Sequence, residues 1–492
     1  MAANDSFETR LFINGEVNPF SLLVRAIADI DLVSTVQRQQ AVQGQQPRVR
    51  RVHRPRCQDV DDAVAAAKAA FPAWRDLGPA ERGAYLRKFA DLILESHETL
   101  ARIEALSSGK PVSQFFESFV AADFFRHFSE AGWNAQGTTS LHTKDHLNLS
   151  VKEPYGVAAC ITPWNLPILL FAYKVAPALA AGNTVVHKSS EKSPLAATHL
   201  ATLVGKAGFP PGVLNMISGY GSPAGSSLAA HMQVRCLSFT GSPQTGQKIQ
   251  TAAAASNMKH VHLELGGKSP SLIFHDADIQ AAAEQTAMSL TFLSGQSCIT
   301  NSRIYIEESV SDTFIPLFKK AFSSSNAGNP LDPTVSRGPQ IDEQQQDRIK
   351  AYIDIGRQDG TLTMGGGSGP GLFVEPTIIE DVAETSQLMR EEVFGPIVTI
   401  NRFKTESEAV DRANQSEFGL YASVFTKDID RAMRVSKLLE AGTVAINCTS
   451  PTMAMDMPFG GYKTSGVGRE GYMHSLDNFL ETKSILMRVG RA

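Results

Sequence analysis

The chain has 492 residues, 42% of them hydrophobic and 20% charged, with a formal net charge of −4 at pH 7. That length is about three domains' worth of soluble globular material, and the slight acidity excludes a general nucleic-acid binder. There is no run of about 18 apolar residues to span a membrane, and the opening MAANDSFETR is not a secretory signal.

In chain order, residues 11–17 read as a hairpin around Asn14-Gly15. Residues 21–57 turn Gln-rich and end in a basic cluster of Arg48, Arg50, Arg51, Arg54 and Arg56. A solvated insert explains this stretch better than an import or anion-binding patch, because nothing else in the chain is strongly basic. Helices are expected from Asp59 to Trp74, from Pro79 to the Gly109-Lys110-Pro111 stop, and over 115–135. Residues 138–152 alternate polar and apolar, as a strand pair or extended arm does.

Strands then alternate with helices. Strands are expected at 156–163, 184–188, 212–218, 234–240 and 260–264, with helices at 169–181, 193–207, 225–230 and 246–255 between them. A second block follows, with strands at 303–306, 396–403, 423–426 and 442–447 and helices at 279–293, 311–323, 342–358, 407–414 and 428–439. Such alternation predicts α/β architecture, parallel sheets covered on both faces, in two lobes with a cleft between them. Sheets of this kind bind ligands beyond the carboxyl ends of their strands.

Polar residues and glycines gather at those ends. The Gly241-to-Gly246 loop follows a strand and opens a helix, where backbone N–H groups can hold a phosphate. It is neither GxGxxG nor a Walker loop, and a plain turn fits it as well. Lys188 and Glu191 close another strand and suit either a ribose or a surface ion pair. Glu264 ends an apolar strand ahead of Gly266 and Gly267, where burial would raise its pKa into the range of a general base. The Asn165 amide is an oxyanion donor or a turn residue.

Five cysteines, none in a CxxC pair, form neither a disulfide framework nor a zinc site and fit a reducing compartment, most simply the cytoplasm. Cys160, Cys236 and Cys448 lie in apolar strand-like runs and Cys57 in a polar segment. Only Cys298, in FLSGQSCITNSR, follows small and polar residues that leave a thiol accessible to substrate.

Six segments together resemble the aldehyde dehydrogenase superfamily. They are Pro163-Trp164-Asn165-Leu166-Pro167, 239–246, 263–270, 295–303, 391–396 (EEVFGP) and 458–470 (PFGGYKTSGVGRE). The resemblance implies a Rossmann-like cofactor lobe (1–137 and 155–263), an α/β catalytic lobe (264–470) and a small β oligomerisation arm (138–154 and 478–492). It implies NAD(P)-dependent oxidation of a small-molecule aldehyde, with no metal and no nucleic-acid or membrane partner, in a homodimer or homotetramer.

By residue, the resemblance implies that Cys298 attacks the carbonyl, Asn165 and the Cys298 backbone N–H hold the oxyanion, and Glu264 activates the water that hydrolyses the thioester. Lys174 and Glu470 would support the proton path behind Glu264. Trp164, Gly241, Ser242, Gly246 and Gly266 would line the cofactor crevice. Lys188 and Glu191 would hold the adenine ribose, and Glu392 with Phe394 the nicotinamide ribose. Glu191 should repel a 2′-phosphate, which favours NAD over NADP. Leu166, Tyr173, Phe292 and Phe459 would line a tunnel suited to a medium-sized apolar or aromatic aldehyde.

The chain departs from the family's pattern at residues 21–57, which lack its usual strands, at Ser294 where Asn is common, and at Asn301 where Gly is usual. Two other functions share these motifs. A coenzyme A-acylating enzyme is disfavoured by the retained Glu264. A catalytically silent nucleotide binder is disfavoured by the intact Cys298, Glu264 and Asn165.

Overall fold

The computed structural model describes residues 12–17 and 57–489. The insert expected at 21–57 therefore lies outside the described residues, except for Cys57. Three sheets organise the rest. The largest has eight strands in the order Gly466–Val467, His260–Leu265, Val234–Gly241, Val157–Ile161, Thr184–Ser190, Leu214–Gly219, Phe12–Ile13, Glu16–Val17. Its five central strands are parallel. The chain starts this parallel set at Val157–Ile161, builds outward to Leu214–Gly219, then returns to add Val234–Gly241 on the other side. The order reverses between Val157–Ile161 and Val234–Gly241, which makes the carboxyl ends of those two strands the natural crevice for a ligand.

A seven-stranded sheet runs Thr361–Met364, Thr377–Glu380, Ile397–Phe403, Arg303–Glu307, Pro270–Ile273, Tyr421–Phe425, Thr443–Ile446, parallel except at its first pair. The third sheet joins Leu480–Arg488 to His146–Pro154 over nine antiparallel pairs, with Thr139–Ser140 at its edge. The arm expected at 138–152 is thus a strand pair completed by the C-terminal strand.

Helices cover the large sheet because their apolar residues recur at helical spacing. Cys57–Arg75 buries Val60, Ala63, Val64, Ala67 and Trp74 on one face. The single helix expected over 79–111 is two, Pro79–Glu95 and His97–Ser107, interrupted at Ser96. The interruption redirects the chain so that Ile93, Leu100 and Ile103 reach the same core. Phe89 lies near the middle of that core, edge-on to Phe125 at 4.9 Å and to Phe209 at 5.8 Å. Each fully buried ring of this kind stabilises the fold by about 1.5–3 kcal/mol.

The strands Pro270–Ile273, Thr361–Met364 and Thr377–Glu380 have no counterpart among the expected elements. Pro270–Ile273 is a central strand of the seven-stranded sheet, paired on both sides. No helix among the described residues is long and apolar enough to cross a membrane.

Candidate active site

Cys298 sits in the connection between the helix Ile279–Thr291 and the strand Arg303–Glu307. The connection opens with three consecutive residues at positive φ: Leu293 at 50°, Ser294 at 56° and Gly295 at 74°. The two non-glycine residues cost on the order of 1–3 kcal/mol each, so the surroundings must hold them. The Ser294 hydroxyl donates to the Gly338 carbonyl at 2.6 Å, and the Gln340 amide donates to the Ser294 carbonyl at 3.3 Å. The Gln296 side chain donates to the Leu293 carbonyl at 2.9 Å and accepts from the Ile341 N–H at 2.9 Å. Gly295 has no alternative, because a Cβ there would lie 2.2 Å from the Gly395 carbonyl oxygen.

Downstream, Asn301 is fully buried. Its amide donates to the Pro270 carbonyl at 3.0 Å, and its oxygen faces the hydroxyls of Ser289, Ser423, Thr449 and Ser450. Both departures from the family's residues, Ser294 and Asn301, are therefore built into the loop's support.

Glu264 ends its strand beside this loop and is only 3% exposed. Its carboxyl faces the Cys298 thiol and the Thr240 hydroxyl, yet neither carboxyl oxygen makes a hydrogen bond of good geometry. Burial raises its pKa to about 7, with Lys174 opposing the rise and Glu470 adding to it. A carboxyl with that value exchanges protons readily near neutral pH. Cys298 is half-buried, and burial first, then the charges of Glu264 and Glu392, hold its thiol well above the usual range. Its resting form is the thiol, so nucleophilic attack requires the proton to leave, and Glu264 is the adjacent acceptor.

Asn165 follows the strand Val157–Ile161, and its amide donates to the Gln296 carbonyl at 3.1 Å. That bond holds a second N–H donor against the Cys298 loop. The next helix, Pro167–Ala180, carries Lys174. The Lys174 ammonium lies 2.7 Å from a Glu470 carboxyl oxygen and 3.1 Å from the Ser238 hydroxyl, and all three groups are buried. An ammonium buried this deeply requires such a partner.

Two buried residues the motifs do not reveal anchor that helix. The Glu117 carboxylate accepts the N–H groups of Ile168 at 2.9 Å and Leu169 at 3.0 Å, capping the helix just after Asn165. Lys110 is ion-paired with both Glu117 and Glu104. Their signal in the sequence was a lone acid in the Phe-rich run FFESF and a lysine at a Gly-Lys-Pro stop.

The residues expected to bind the cofactor lie at and beside the crevice where the strand order reverses. Trp164 follows one flanking strand and Ser242 follows the other, where it caps the helix Pro243–Ser256 by accepting from the Thr245 N–H. Gly246 lies against Leu265, where a Cβ would come within 2.8 Å, and at Gly241 a Cβ would meet the Phe239 ring at 2.4 Å. Lys188 is buried, and burial lowers its pKa to about 8 against the pull of Glu191. The hydroxyls of Ser189 and Ser218, near the carboxyl ends of their strands, are buried without protein partners. A capped helix start, a lysine and spare hydroxyls suit an anionic dinucleotide.

Across the crevice, Glu392 accepts the Gly267 N–H at 3.0 Å, and a Cβ on Gly266 would collide with its carboxylate at 2.4 Å. Burial lifts Glu392 to about 7. Phe394 stands edge-on to Trp164 at 5.4 Å.

Three of the four expected tunnel residues divide between two neighbouring clusters. Phe459 shares an apolar cluster with Ile299 and Cys298. Leu166 and Tyr173 belong to the main core, and Met453 joins the two clusters. Tyr173 stacks on Phe124 at 4.1 Å, and its hydroxyl donates to the Met455 sulfur at 2.8 Å. Phe292 is half-buried, 5.8 Å from Phe116.

With this geometry in view, comparison with known proteins is decisive. The family model described as "Aldehyde dehydrogenase family" matches residues 38–485. Retinal dehydrogenase 2 of Homo sapiens is 43% identical over 88% of this chain and 85% of its own. Among solved structures, the aldehyde dehydrogenase KauB from Pseudomonas aeruginosa superposes with a TM-score of 0.90 at 38% identity, covering 98% of this chain and 97% of the other. The P. syringae AldA indole-3-acetaldehyde dehydrogenase, in complex with NAD+ and IAA, gives a TM-score of 0.91 at 36% identity over 99% and 98% of the two chains.

Proposed function

The chain belongs to the aldehyde dehydrogenase family, and on that premise we propose how its own residues divide the NAD-dependent oxidation of an aldehyde to a carboxylic acid. The observation that carries the assignment is the pairing of Glu264, lifted to about 7, with the Cys298 thiol it faces. Glu264 takes the thiol proton as Cys298 sulfur attacks the aldehyde carbon. The Asn165 amide and the Cys298 N–H stabilise the oxyanion that forms. Bound NAD+ would supply the hydride acceptor for that carbon. Cys298 is left as a thioester. Glu264 then takes a proton from water, whose oxygen attacks the acyl carbon and releases the acid. The Lys174–Glu470 pair tunes Glu264 and carries its proton onward.

Lys188 and Glu191 hold the adenine ribose, Trp164, Gly241, Ser242, Gly246 and Gly266 line the path of the dinucleotide, and Glu392 with Phe394 takes the nicotinamide ribose. Glu191 favours NAD over NADP. Leu166, Tyr173, Phe292 and Phe459 select a medium-sized apolar or aromatic aldehyde. Residues 1–137 with 155–263 serve as the cofactor domain and 264–470 as the catalytic domain. The segments 138–154 and 478–492 form an oligomerisation arm, a role supported by the exposed Leu486 and Met487 on its last strand. The enzyme works as a homodimer or homotetramer in the cytoplasm, consistent with its five unpaired cysteines.

Purified protein incubated with NAD+ and a panel of aliphatic, aromatic and semialdehyde substrates should generate NADH absorbance, fastest with apolar or aromatic members. A folded sample that turns over none of them would sink the reading.

A further inference from the structure

Glu264 is the fifth residue of a strand that also carries His260 and His262. The period of two in a strand puts these three side chains on one face. The adjacent parallel strand sets Thr240, Ser238 and Cys236 beside Glu264, His262 and His260 in register. A polar lane therefore runs down this face from Glu264.

Its middle row is tied to the buried ion pair. The Ser238 hydroxyl lies 3.1 Å from Glu470 Oε1 and 3.1 Å from Lys174 Nζ. Ser238 is the lateral neighbour of His262. The other oxygen of Glu470, Oε2, is buried with no partner. The His262 ring is faced by the charges of Glu470, Lys174 and His260, and by the backbone of Asn478. Burial holds its pKa below the ordinary value, with Glu470 opposing, so the ring is a neutral proton acceptor near pH 7. Just past the edge strand opposite, a Cβ at Gly468 would lie 2.9 Å from His262 Nδ1, so the glycine there leaves the ring its place. His262 is half-buried, whereas His260, two residues further from Glu264, is exposed.

The reaction requires such a route. Aldehyde, NAD+ and water become carboxylate, NADH and two protons. Glu264 takes one proton from the thiol and one from water, and the remaining water proton passes from the product acid to the departing sulfur, restoring the thiol. Glu264 must therefore discharge twice per turnover, from a position almost closed to solvent. We propose that His262 accepts those protons from the Lys174–Glu470 pair and delivers them to solvent at the His260 end of the strand. This relay rests on the reading of Glu264 as the base. His262 acts through Glu264 and touches neither substrate nor cofactor.

The test compares His262→Ala, His262→Gln and Glu264→Gln in the full chain with NAD+ and the best aldehyde of the panel. His262→Ala should keep the rate and amplitude of the first-turnover NADH burst, which needs Glu264 to accept only one proton. Its steady-state kcat near pH 7 should fall roughly tenfold, less than the loss of a direct base. Added imidazole should restore that rate with saturation, and His262→Gln, which keeps polar bulk in the lane, should show the same loss. A His262→Ala enzyme with unchanged kcat, a loss that imidazole does not repair, or full activity in His262→Gln overturns the relay. Glu264→Gln separates the two levels: a slowed burst with no further turnover leaves the underlying reading standing, and full turnover overturns that reading itself.

Discussion

Gly466 is the antiparallel neighbour of Glu264 across the edge of the eight-stranded sheet. The pairing adds a segment from near the end of the chain to the strand that carries the candidate base, and leads four residues later to Glu470. A Cβ on Gly466 would lie 2.3 Å from the Leu263 carbonyl oxygen. Gly466→Ala should therefore cost about 1–3 kcal/mol and displace Glu264 and Glu470 together. The expected outcome is a lower Tm and slowed steady-state turnover. An unchanged Tm would show that the edge strand yields without consequence.

Glu264→Gln should separate stability from activity. The folded carboxyl holds its proton up to about 7 against an ordinary value of 4.5. Below 4.5 both states are protonated and folding carries no penalty. As pH rises from 4.5 to about 7 the unfolded state ionises and the folded state does not, so stability falls, by up to about 3 kcal/mol. Above about 7 the penalty is constant. Glutamine never ionises, so the variant should be the more stable protein at neutral and alkaline pH, with the advantage vanishing in acid, while giving a slowed burst and little turnover. Thermal melts across pH check the first expectation and stopped-flow absorbance the second.

The same carboxyl sets the acid limb of activity. Deacylation needs ionised Glu264, so kcat should rise with pH through about 7. A flat profile across that range, with deacylation rate-limiting, would exclude Glu264 as the base.

Cys298→Ala should abolish aldehyde oxidation and leave NAD binding intact, measured by calorimetry. Because burial and the neighbouring carboxylates keep the free thiol protonated, alkylation of Cys298 without cofactor should be slow at neutral pH and accelerate as pH rises. Retained turnover in Cys298→Ala would move the nucleophile elsewhere.

Glu117→Ala should be among the most destabilising single changes in the chain. It leaves the Lys110 ammonium with only Glu104 and orphans the N–H groups of Ile168 and Leu169. A loss of about 3–5 kcal/mol is expected from denaturant unfolding, together with weaker oxyanion stabilisation, since Asn165 precedes that helix. A loss below about 1 kcal/mol, the scale of an ordinary hydrogen bond, would show that the cap is dispensable.

The reacting groups were legible because their surroundings are local. Cys298 stands out by the small residues before it, Glu264 by the glycines after it, and the crevice by strand ends that gather polar residues. What was not legible depends on partners distant in the chain. Pro270–Ile273 follows Gly-Lys-Ser with only four residues to show a pattern, and becomes a strand between Arg303–Glu307 and Tyr421–Phe425. Glu117 meets the Ile168 N–H only after the helices pack. The break at Ser96 follows from both flanking helices serving one core, which periodicity within either helix does not record. His262 gains its meaning from Ser238 beside it and Gly468 opposite, neither visible from its own strand.

The pairing of Gly466 with Glu264 also sets an order of assembly. During synthesis, Lys174, Glu264 and Cys298 leave the ribosome well before Glu470. Until that residue arrives, closing the helix over Lys174 would bury an ammonium without its carboxylate, at a cost of several kcal/mol. A chain that has not yet gained Glu470 should therefore keep its thiol and its base in an incompletely closed lobe. Arrival of residues 466–488 adds the eighth strand, supplies the missing carboxylate and completes the three-stranded sheet in one stroke. The enzyme is armed as its final segment docks, and a chain cut short before that point would carry the nucleophile without the machinery to release its product.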